Sequence, residues 1–415
     1  MTDTRDKIIN NHQSLSTITF LIDCWTKTSR LFSGASSGAF SASFGEMVMQ
    51  TDQKSDSKIP VVQLGLGNVG GALLDIVTGS NQQKKFRVCA VADRSGVLVD
   101  RSGFDDDQIS KFIQEKAKGK GVAKLTNEGD ALTNGEAVRS LFDSSEPGIL
   151  VDVTDSSEVL PFYWAAVEGN WKVAAANKIP ITRISFSKFT KLLEADLKYE
   201  ATVGAGLPII TTIKRLRSSR ENIHQVSGVF SGSLAYITRQ VGEGKLFSTA
   251  VADAKSAGYT EPDPRVDLLG RDVARKALIL ARSLGEERAM SDVDVEPLVP
   301  LDDDVDNSWE ELENELQKYD AEFQRRLQRA SQEGSALCYL ARVTRNKIKV
   351  GLEEVKQTSP VAQGTSTANV AVIEGEHYSD SPLVISGPGA GPTVTAQGVY
   401  ADMQSLATDH LLGRG

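Results

Sequence analysis

Apolar residues from Lys58 onward occur in short runs that alternate with helix-spaced patterns. Four runs predict buried strands, because each is short, apolar and bounded by turn-forming residues: "KIPVVQL", "FRVCAVAD", "GILVDVTD" and "WKVAAANK". Helical patterns follow the first and third runs, in "GGALLDIV" and "VLPFYWAAVEGN". Strands that alternate with helices predict an α/β fold, with a Rossmann-type doubly wound parallel sheet covered by crossover helices.

The pattern changes after about residue 205, where we predict a second, mixed α/β domain. "NIHQVSGVFSGSLAYI" predicts a strand and a turn, and helical patterns continue to about residue 286. Ser308 and Glu311 have the spacing of a capping box, and an apolar stripe of helical spacing follows them. "ALCYLARVTRNKIKVGLEEV" resembles paired strands, and the final segment from "PLVISGPGAG" predicts a strand, a glycine turn and a helix.

Residues 1–57 differ from the rest, since they are rich in Ser and Thr and show no clear hydrophobic period. We predict a disordered extension, with an organelle-targeting segment as the alternative. Asp3, Asp6 and Asp23 count against a transit peptide, because such segments are poor in acidic residues.

Composition narrows the class of protein. A net charge of −9 without long basic runs argues against a nucleic-acid partner, and the absence of long apolar stretches argues against a membrane span. Cys24, Cys89 and Cys338 are scattered, which favours a reducing compartment, and we predict a cytoplasmic protein. The four histidines show no metal-ligand spacing.

The stretch "GLGNVGG" follows the first predicted strand and opens a helix, which is the context that a dinucleotide-binding turn needs. Gly65 allows the tight turn, Gly67 lets a pyrophosphate approach the backbone, and Gly70 lets helix and strand pack closely. Asn68 and Val69 complete the turn at the helix N-terminus, which favours an anion. The alternative is a glycine turn that only packs.

The second predicted strand ends in "VADRSG", where a residue that binds the adenosine ribose is expected. Asp93 can bind a 2′-hydroxyl, which favours NAD, whereas Arg94 can bind a 2′-phosphate, which favours NADP. These two residues leave the choice of cofactor open, and either can instead be a solvated loop charge.

A charged segment, "GYTEPDPRVDLLGRDVARKALILAR", lies beside an apolar helical stripe. Its prolines predict a stiff loop that holds Glu261, followed by a helix that begins near Asp267. Asp272 and Lys276 are four residues apart, so they share one helix face and can form an ion pair. Burial would lower the pKa of the lysine and the carboxylate would raise it. The alternative is an exposed helical salt bridge.

These segments together resemble the homoserine dehydrogenase family, of the type without an aspartate-kinase or C-terminal regulatory domain. The resemblance runs from about Lys58 to about Leu412 and also includes "VDVTDSSE", "AAANKIP", "YEATVGAGLPII" and "GPGAGPTVTAQGVYADM". It implies the NAD(P)H-dependent, reversible reduction of L-aspartate 4-semialdehyde to L-homoserine, in the biosynthesis of threonine, methionine and isoleucine. NADP is the expected cofactor, with NAD as the alternative.

The resemblance also implies roles for individual residues. Lys276 corresponds to the proton donor, with Asp272 beside it, and Lys178 to a second lysine near nicotinamide and substrate. Glu261 and Asp267 correspond to ligands of the substrate ammonium. Further positions implied to line the cofactor site are Thr154, Ser156 and Gly391. Ser233 stands where members often have Thr, and the hydroxyl is kept.

"EATVGAGLP" resembles the sodium site of the family. The resemblance implies an oxygen ligand from Glu200, completed by the backbone carbonyls of Val203, Ala205 and Leu207. The residues alone predict only a turn between a strand and a helix.

The predicted organisation has three parts: an N-terminal extension over 1–57, a nucleotide-binding domain over 58–205 completed by 386–412, and a catalytic and dimerisation domain over 206–385. The resemblance implies a homodimer formed through the second domain. Three alternative functions are an aspartate-semialdehyde dehydrogenase, which needs a nucleophilic cysteine, a dinucleotide sensor without catalysis, and a different oxidoreductase on the same scaffold.

Overall fold

The computed structural model describes residues 58–79, 85–125, 131–132, 135–143, 146–302, 308–364 and 367–411. The predicted extension over residues 1–57 lies outside the described residues, and so does residue 412 of the predicted C-terminal segment.

The first sheet contains every strand that the N-terminal apolar runs predict. In the described residues its order is β4-β3-β2-β1-β5-β6-β7. Its strands are β1 (Ile59–Leu64), β2 (Phe86–Asp93), β3 (Gly96–Val99), β4 (Ala131–Leu132), β5 (Ile149–Asp152), β6 (Lys172–Ala175) and β7 (Leu197–Lys198). The pairs β1–β2, β1–β5, β5–β6 and β6–β7 are parallel. The strand order changes direction between β1 and β5, where open α/β sheets bind their ligands.

The edge of this sheet differs from the prediction of a parallel sheet. After β2 the chain turns back at once, and β3 pairs antiparallel with β2, with Asp93 opposite Gly96. Strand β4 pairs antiparallel with β3. Val97 and Leu98 are buried, so the hairpin adds apolar residues to the core at a segment for which the sequence predicted no strand.

Helices cover both faces of the first sheet. They are α1 (Asn68–Gly79), α2 (Asp106–Ala117), α3 (Gly135–Phe142), α4 (Leu160–Glu168), α5 (Lys178–Arg183) and α6 (Phe186–Glu194). Leu73, Leu74 and Val77 lie on the buried side of α1 and pack against β1 residues such as Val61. Burial of this apolar face fixes the start of α1 over the end of β1.

The second sheet has the order β13-β12-β8-β10-β11-β9 in the described residues. Its strands are β8 (Ile223–Val229), β9 (Val293–Val295), β10 (Ser335–Thr344), β11 (Ile348–Lys356), β12 (Ala368–Gly375) and β13 (Leu383–Pro388). The β9–β11 pair is parallel and the other pairs are antiparallel, so the prediction of a mixed second region is confirmed.

The helices of the second region pack against its sheet or flank the first. They are α7 (Ile209–Ser218), α8 (Gly232–Gly242), α9 (Phe247–Ser256), α10 (Arg265–Leu268), α11 (Arg271–Ser283), α12 (Trp309–Leu316), α13 (Asp320–Gln332) and α14 (Pro360–Gln363). The predicted capping box is present, since Ser308 Oγ accepts from Glu311 N at 3.3 Å. Phe247 and Phe323 stack with ring centroids 4.1 Å apart, which joins α9 to α13.

The last helix, α15 (Pro392–Leu411), returns to the first sheet. Val399 and Met403 share a core with Leu73 and Leu74 of α1. The predicted boundary at residue 386 lies inside β13, which still pairs with β12. The chain therefore leaves the second sheet only after Pro388.

Candidate active site

The glycine turn between β1 and α1 has the geometry that a dinucleotide pyrophosphate requires. Gly65 has φ +99°, which disfavours other residues. A Cβ on Gly70 would lie 2.2 Å from the Gly65 carbonyl oxygen, so the helix packs too closely for a side chain. A Cβ on Gly67 would meet nothing within 4 Å, so open space lies over the helix N-terminus, where Asn68 is exposed. The residues present therefore fit a bound phosphate group.

Gln63 supports this turn, although sequence reasoning missed it. Its buried Nε2 donates to the carbonyl oxygens of Gly65 at 3.0 Å and Gly70 at 3.1 Å. The sequence feature that could have pointed to this role is a polar residue inside an otherwise apolar strand.

At the end of β2 the two candidate ribose-binding residues point in different directions. Asp93 accepts hydrogen bonds from Ser95 N at 2.8 Å, Ser95 Oγ at 2.6 Å and Val122 N at 3.2 Å, and it also pairs with Lys116. Burial tends to raise the pKa of Asp93, but the bonds from Lys116 and Ser95 hold it below its usual value. Its oxygens are therefore engaged within the protein.

Arg94 is instead exposed, with 87% of its side chain accessible. It pairs with Asp155, at the end of β5, with 3.0 Å between Nη2 and Oδ1. This pair links the ends of β2 and β5, on either side of the glycine turn. A contact between two exposed side chains is weak and is readily exchanged for a ligand.

Three predicted catalytic side chains meet where the first residue of α5 approaches α11. Asp272 Oδ2 lies 2.8 Å from Lys276 Nζ, and its Oδ1 lies 3.3 Å from Lys178 Nζ. Lys276 Nζ also donates to the Phe230 carbonyl oxygen at 2.6 Å. Partial desolvation opposes ionisation of Asp272, whose side chain is 44% exposed, yet the ammonium groups of Lys276 and Lys178 outweigh it and lower the pKa of the carboxyl well below its usual range. The carboxylate is thus held charged between two cations.

The helix that carries this cluster begins later than predicted. Asp267 lies in the short helix α10, and Gly270, with φ +68°, separates it from α11. A Cβ on Gly270 would lie 2.0 Å from Tyr339 Oη, so glycine is required there for space as well as for φ. The break leaves Asp267 outside α11, whereas Asp272 and Lys276 share one face of α11 as the sequence predicted.

Both carboxylate oxygens of Asp267 accept hydrogen bonds from within the protein. Ser233 Oγ donates to Oδ1 at 2.7 Å, and Glu261 N donates to Oδ2 at 2.9 Å. Burial raises the pKa of Asp267, and the bonds from Ser233 and Glu261 oppose that rise. The Glu261 side chain is exposed on the adjoining loop. The two acidic residues are therefore neighbours, joined through the Glu261 amide.

Thr154 and Ser156 lie just beyond the end of β5, beside the glycine turn. A Cβ on Gly65 would lie 2.9 Å from the Val153 carbonyl oxygen, which shows how closely the two segments approach. The Thr154 hydroxyl donates to Asp152 Oδ1 at 2.7 Å. Ser156 is half-buried, and its Oγ accepts from Glu158 N at 3.1 Å.

Gly391 begins the return of the chain to the first sheet. It is exposed, with φ +124°, and a Cβ there would meet nothing within 4 Å. Its carbonyl oxygen accepts from Thr395 N at 3.0 Å and Thr395 Oγ1 at 2.8 Å, which fixes the first turn of α15. Space for a ligand thus lies over this glycine.

The side chain of Glu200, a predicted sodium ligand, is occupied in capping helix α7. Its oxygens accept from Ile210 N at 2.7 Å and Thr211 N at 2.8 Å. Burial raises the pKa of Glu200, and the Thr211 bonds oppose this effect. Asp402 of α15 accepts from the Glu200 amide at 2.9 Å, a contact between residues too far apart in the chain for local sequence patterns to predict. Next in the chain, Gly204 and Ala205 have positive φ values of 82° and 55°.

The described cysteines do not suit nucleophilic catalysis. Cys89 and Cys338 are buried free thiols. Burial raises the pKa of both, to about 11 for Cys338, which keeps them protonated. These two thiols give no support to an aldehyde dehydrogenase that forms a thioester; Cys24 lies outside the described residues.

Across the described ranges, no helix has the length and apolarity needed to cross a membrane.

The doubly wound sheet with its glycine turn, and the cluster of Lys178, Asp272 and Lys276, indicate a dinucleotide-binding α/β protein with a second region that contributes to the site. Family models agree with this class. The model described as "Homoserine dehydrogenase, NAD binding domain" matches residues 65–202, and the one described as "Homoserine dehydrogenase" matches residues 208–403. The chain belongs to the homoserine dehydrogenase family, whose members are NAD(P)-dependent oxidoreductases. The predicted family and fold class are confirmed.

Individual relatives are consistent with this membership. A bifunctional aspartokinase/homoserine dehydrogenase of Haemophilus influenzae is 32% identical over 374 residues, which cover 86% of this chain and 44% of that protein. The chain thus spans less than half the length of this curated relative.

Two solved structures match this chain over nearly the whole of their own length. A crystal structure of a Candida auris protein of unknown function is 31% identical, with a TM-score of 0.75, and the match covers 85% of this chain and 98% of that one. A hyperthermophilic archaeal homoserine dehydrogenase in complex with NADPH is 27% identical, with a TM-score of 0.65 and the same coverage.

Proposed function

We propose that this chain catalyses the reversible, NAD(P)H-dependent reduction of L-aspartate 4-semialdehyde to L-homoserine, in the biosynthesis of threonine, methionine and isoleucine. The observation that carries the proposal is the cluster of Lys178, Asp272 and Lys276, in which Lys178 lies just beyond the carboxyl end of β6. Ligands of open parallel sheets bind outside these strand ends.

Lys276 is placed to supply the proton that the reaction needs. An ammonium has three N–H donors, and two of them bind the Phe230 carbonyl and the Asp272 carboxylate. The third remains for an aldehyde oxygen, where negative charge develops. Asp272 fixes the direction of the Lys276 side chain through the 2.8 Å contact between their charged atoms. Bound reduced nicotinamide supplies the hydride.

Asp267 and Glu261 hold the substrate ammonium, and Lys178 lies beside the reacting carbon. Ser233 fixes the rotamer of Asp267, so that its carboxylate is presented in one orientation. Because Glu261 is exposed on its loop, its side chain is free to turn toward the same ammonium. A carboxylate pair of this kind distinguishes an amino-acid aldehyde from a simple aldehyde.

NADP is the proposed cofactor, bound by Gly65, Gly67, Asn68, Val69, Gly70, Thr154, Ser156 and Gly391. The engagement of Asp93 with Ser95, Val122 and Lys116 removes it from the ribose. Arg94 is exposed and can exchange Asp155 for a 2′-phosphate. Arg94→Ala is therefore expected to weaken NADPH binding more than NADH binding, measured by fluorescence titration.

A sodium ion is proposed at the 200–207 loop, bound by the backbone carbonyls of Val203, Ala205 and Leu207 and by an oxygen of Glu200. The support is the irregular turn with positive φ at Gly204 and Ala205, although the Leu207 carbonyl also accepts from Ile209 N at 2.8 Å. Because the Glu200 carboxylate caps α7, its backbone carbonyl is the better candidate. Binding is tested by ²³Na relaxation with Ala205→Pro as the comparison, and unchanged relaxation on adding protein contradicts it.

We also propose a nucleotide-binding domain over 58–205 completed by the C-terminal helix, and a homodimer formed through the second region over 206–385. The exposed edge strand β13, with 40% of Val384 accessible, supports a partner surface there. Sedimentation equilibrium tests the dimer.

A cytoplasmic location, supported by two buried free thiols, is tested by comparing fluorescent fusions with and without residues 1–57.

The reverse reaction gives a simple test of the proposed activity. Purified protein with L-homoserine and NADP⁺ should produce reduced nicotinamide, and D-homoserine should not. Tight cofactor binding without production from the L-isomer would instead indicate a dinucleotide sensor.

A further inference from the structure

A buried carboxylate at the end of β5 has no part in the chemistry proposed above. Asp152 is 0% exposed, yet it lies one strand away from Lys178. Its Oδ1 accepts from Thr154 N at 2.9 Å and Thr154 Oγ1 at 2.7 Å, and its Oδ2 accepts from Tyr163 Oη at 2.8 Å and Asn177 Nδ2 at 3.0 Å. Each of these donors is neutral. Burying a carboxylate on neutral donors is costly, so its presence here points to a role beyond packing.

Asn177 carries this network to the end of the neighbouring strand. Its Nδ2 is shared among Asp152 Oδ2, Thr154 Oγ1 at 3.0 Å and the Ser156 carbonyl at 2.8 Å. Its Oδ1 accepts from Ile179 N at 3.0 Å, so the same side chain is the N-cap of α5. The amide plane of Asn177 is therefore fixed at both ends.

Lys178 is the first residue of α5, directly after this N-cap. The orientation of the first turn of α5 therefore determines the direction in which the Lys178 side chain leaves the backbone. That side chain must then reach across the crevice to Asp272, 3.3 Å from its Nζ. Rotation of the Asn177 cap would tilt the first turn and move the ammonium.

We infer that Asp152 is a positioning residue: through Asn177 it fixes the start of α5, and so holds the Lys178 ammonium against Asp272. The same carboxylate holds the Thr154 segment, whose neighbour Val153 packs on Gly65 of the glycine turn. The inference rests on the proposed function only for its kinetic readout.

The kinetic test compares two substitutions in one buried network. Asp152→Asn retains the acceptor for Thr154 but places a donor against Asn177 and Tyr163. Because a displacement of about 1 Å can cost roughly 100-fold, kcat should fall by about 10- to 100-fold, with the substrate KM little changed. Tyr163→Phe removes one neutral donor and leaves Asn177 in place. It should lower thermal stability, with kcat within about twofold of the wild type.

A double-mutant cycle shows whether Asp152 acts through Lys178. In a Lys178→Ala background, Asp152→Asn should lower kcat by less than about twofold, because the group that it positions is gone. If Asp152→Asn does not fold, Asn177→Ser replaces it, since serine keeps an N-cap oxygen while the donor to Asp152 is lost. Equal kcat values for Asp152→Asn and Tyr163→Phe would overturn the inference. It would also be overturned if Asp152→Asn lowered kcat by the same factor in the Lys178→Ala background as in the wild type.

A second readout does not depend on turnover. Trace acetylation followed by mass spectrometry reports the reactivity of each lysine. In Asp152→Asn, Lys178 should acetylate several-fold faster than in the wild type, because it loses its contact with Asp272. Lys172 at the start of β6, paired with Asp196 at 3.0 Å, is the internal control and should not change. If wild-type protein shows no turnover, the proposed function fails, whereas unchanged Lys178 labelling contradicts the positioning role.

Discussion

Replacing Lys276 with methionine tests the proton-donor role most sharply. The side chain is 12% exposed, and methionine fills the same space without the ammonium. Loss of a positioned general acid costs about 10²- to 10⁴-fold in rate. At about 1.4 kcal/mol for each factor of ten, this is roughly 3–5 kcal/mol of transition-state stabilisation. The Phe230 carbonyl also loses its donor, which costs about 1–3 kcal/mol of folding stability if water does not replace it.

The assay for Lys276→Met separates binding from chemistry. NADPH affinity, measured by fluorescence titration, should stay close to the wild-type value, while kcat falls by the factor above. Lys276→Arg is the matched control, because it keeps the positive charge beside Asp272 but does not release a proton near neutral pH. A kcat for Lys276→Met within tenfold of the wild type would refute the role, and so would full activity of Lys276→Arg.

The same substitution changes the response to acid. The folded-state pKa of Asp272 lies below its unfolded value, so its ionisation stabilises the fold above the unfolded pKa of about 3.9. This stabilisation is lost as pH falls below that value. Removing the Lys276 charge raises the folded-state pKa of Asp272, so acid unfolding of Lys276→Met, followed by circular dichroism, should begin at a higher pH. An unchanged acid transition would contradict the ion pair.

The remaining predictions concern substrate and cofactor binding. Ser233→Ala should raise the substrate KM about 3- to 30-fold, the cost of one lost bond to the Asp267 carboxylate, with a smaller change in kcat; a fall in kcat alone would contradict this. Arg94→Ala should raise the KM of NADPH more than that of NADH, and equal changes would place the phosphate contact elsewhere. Gly67→Ala should fold with normal stability but lose cofactor affinity. Gly70→Ala should lower both cofactor affinity and folding stability, the latter by about 1–3 kcal/mol. A wild-type melting temperature for Gly70→Ala would contradict the close approach of Gly70 to the preceding turn.

Local signals in the sequence predicted the parts of the fold that are themselves local. The glycine turn and its flanking strand and helix follow from spacing over a few residues. The Asp272–Lys276 pair follows from the four-residue period of a helix, and the structure gives 2.8 Å between their charged atoms. The capping box at Ser308 is local in the same way.

Contacts that join distant segments could not be predicted in this way. Asp93 turns inward because Lys116 and Val122, more than twenty residues later, come to lie beside it. The need for glycine at position 270 also depends on a distant residue, because Tyr339, on a strand of the second sheet, occupies the space that a side chain would take. Such contacts exist only once the sheets have formed.

The Asp152 network shows the same limit inside the site. A single aspartate at the end of an apolar strand suggests a surface carboxylate, since buried carboxylates are rare. Only the fold places Tyr163 and Asn177 around it. Family resemblance supplied the roles of Lys178 and Lys276, while the contact of Lys178 with Asp272 became visible only in three dimensions.

The most direct measurement is absorbance at the reduced-nicotinamide band, with purified protein, L-aspartate 4-semialdehyde, and NADPH or NADH in parallel. We expect a loss of absorbance that requires the aldehyde, is faster with NADPH, yields L-homoserine as product and is nearly abolished in Lys276→Met. No aldehyde-dependent loss with either cofactor, while cofactor binding is still detected, would contradict the proposed reaction.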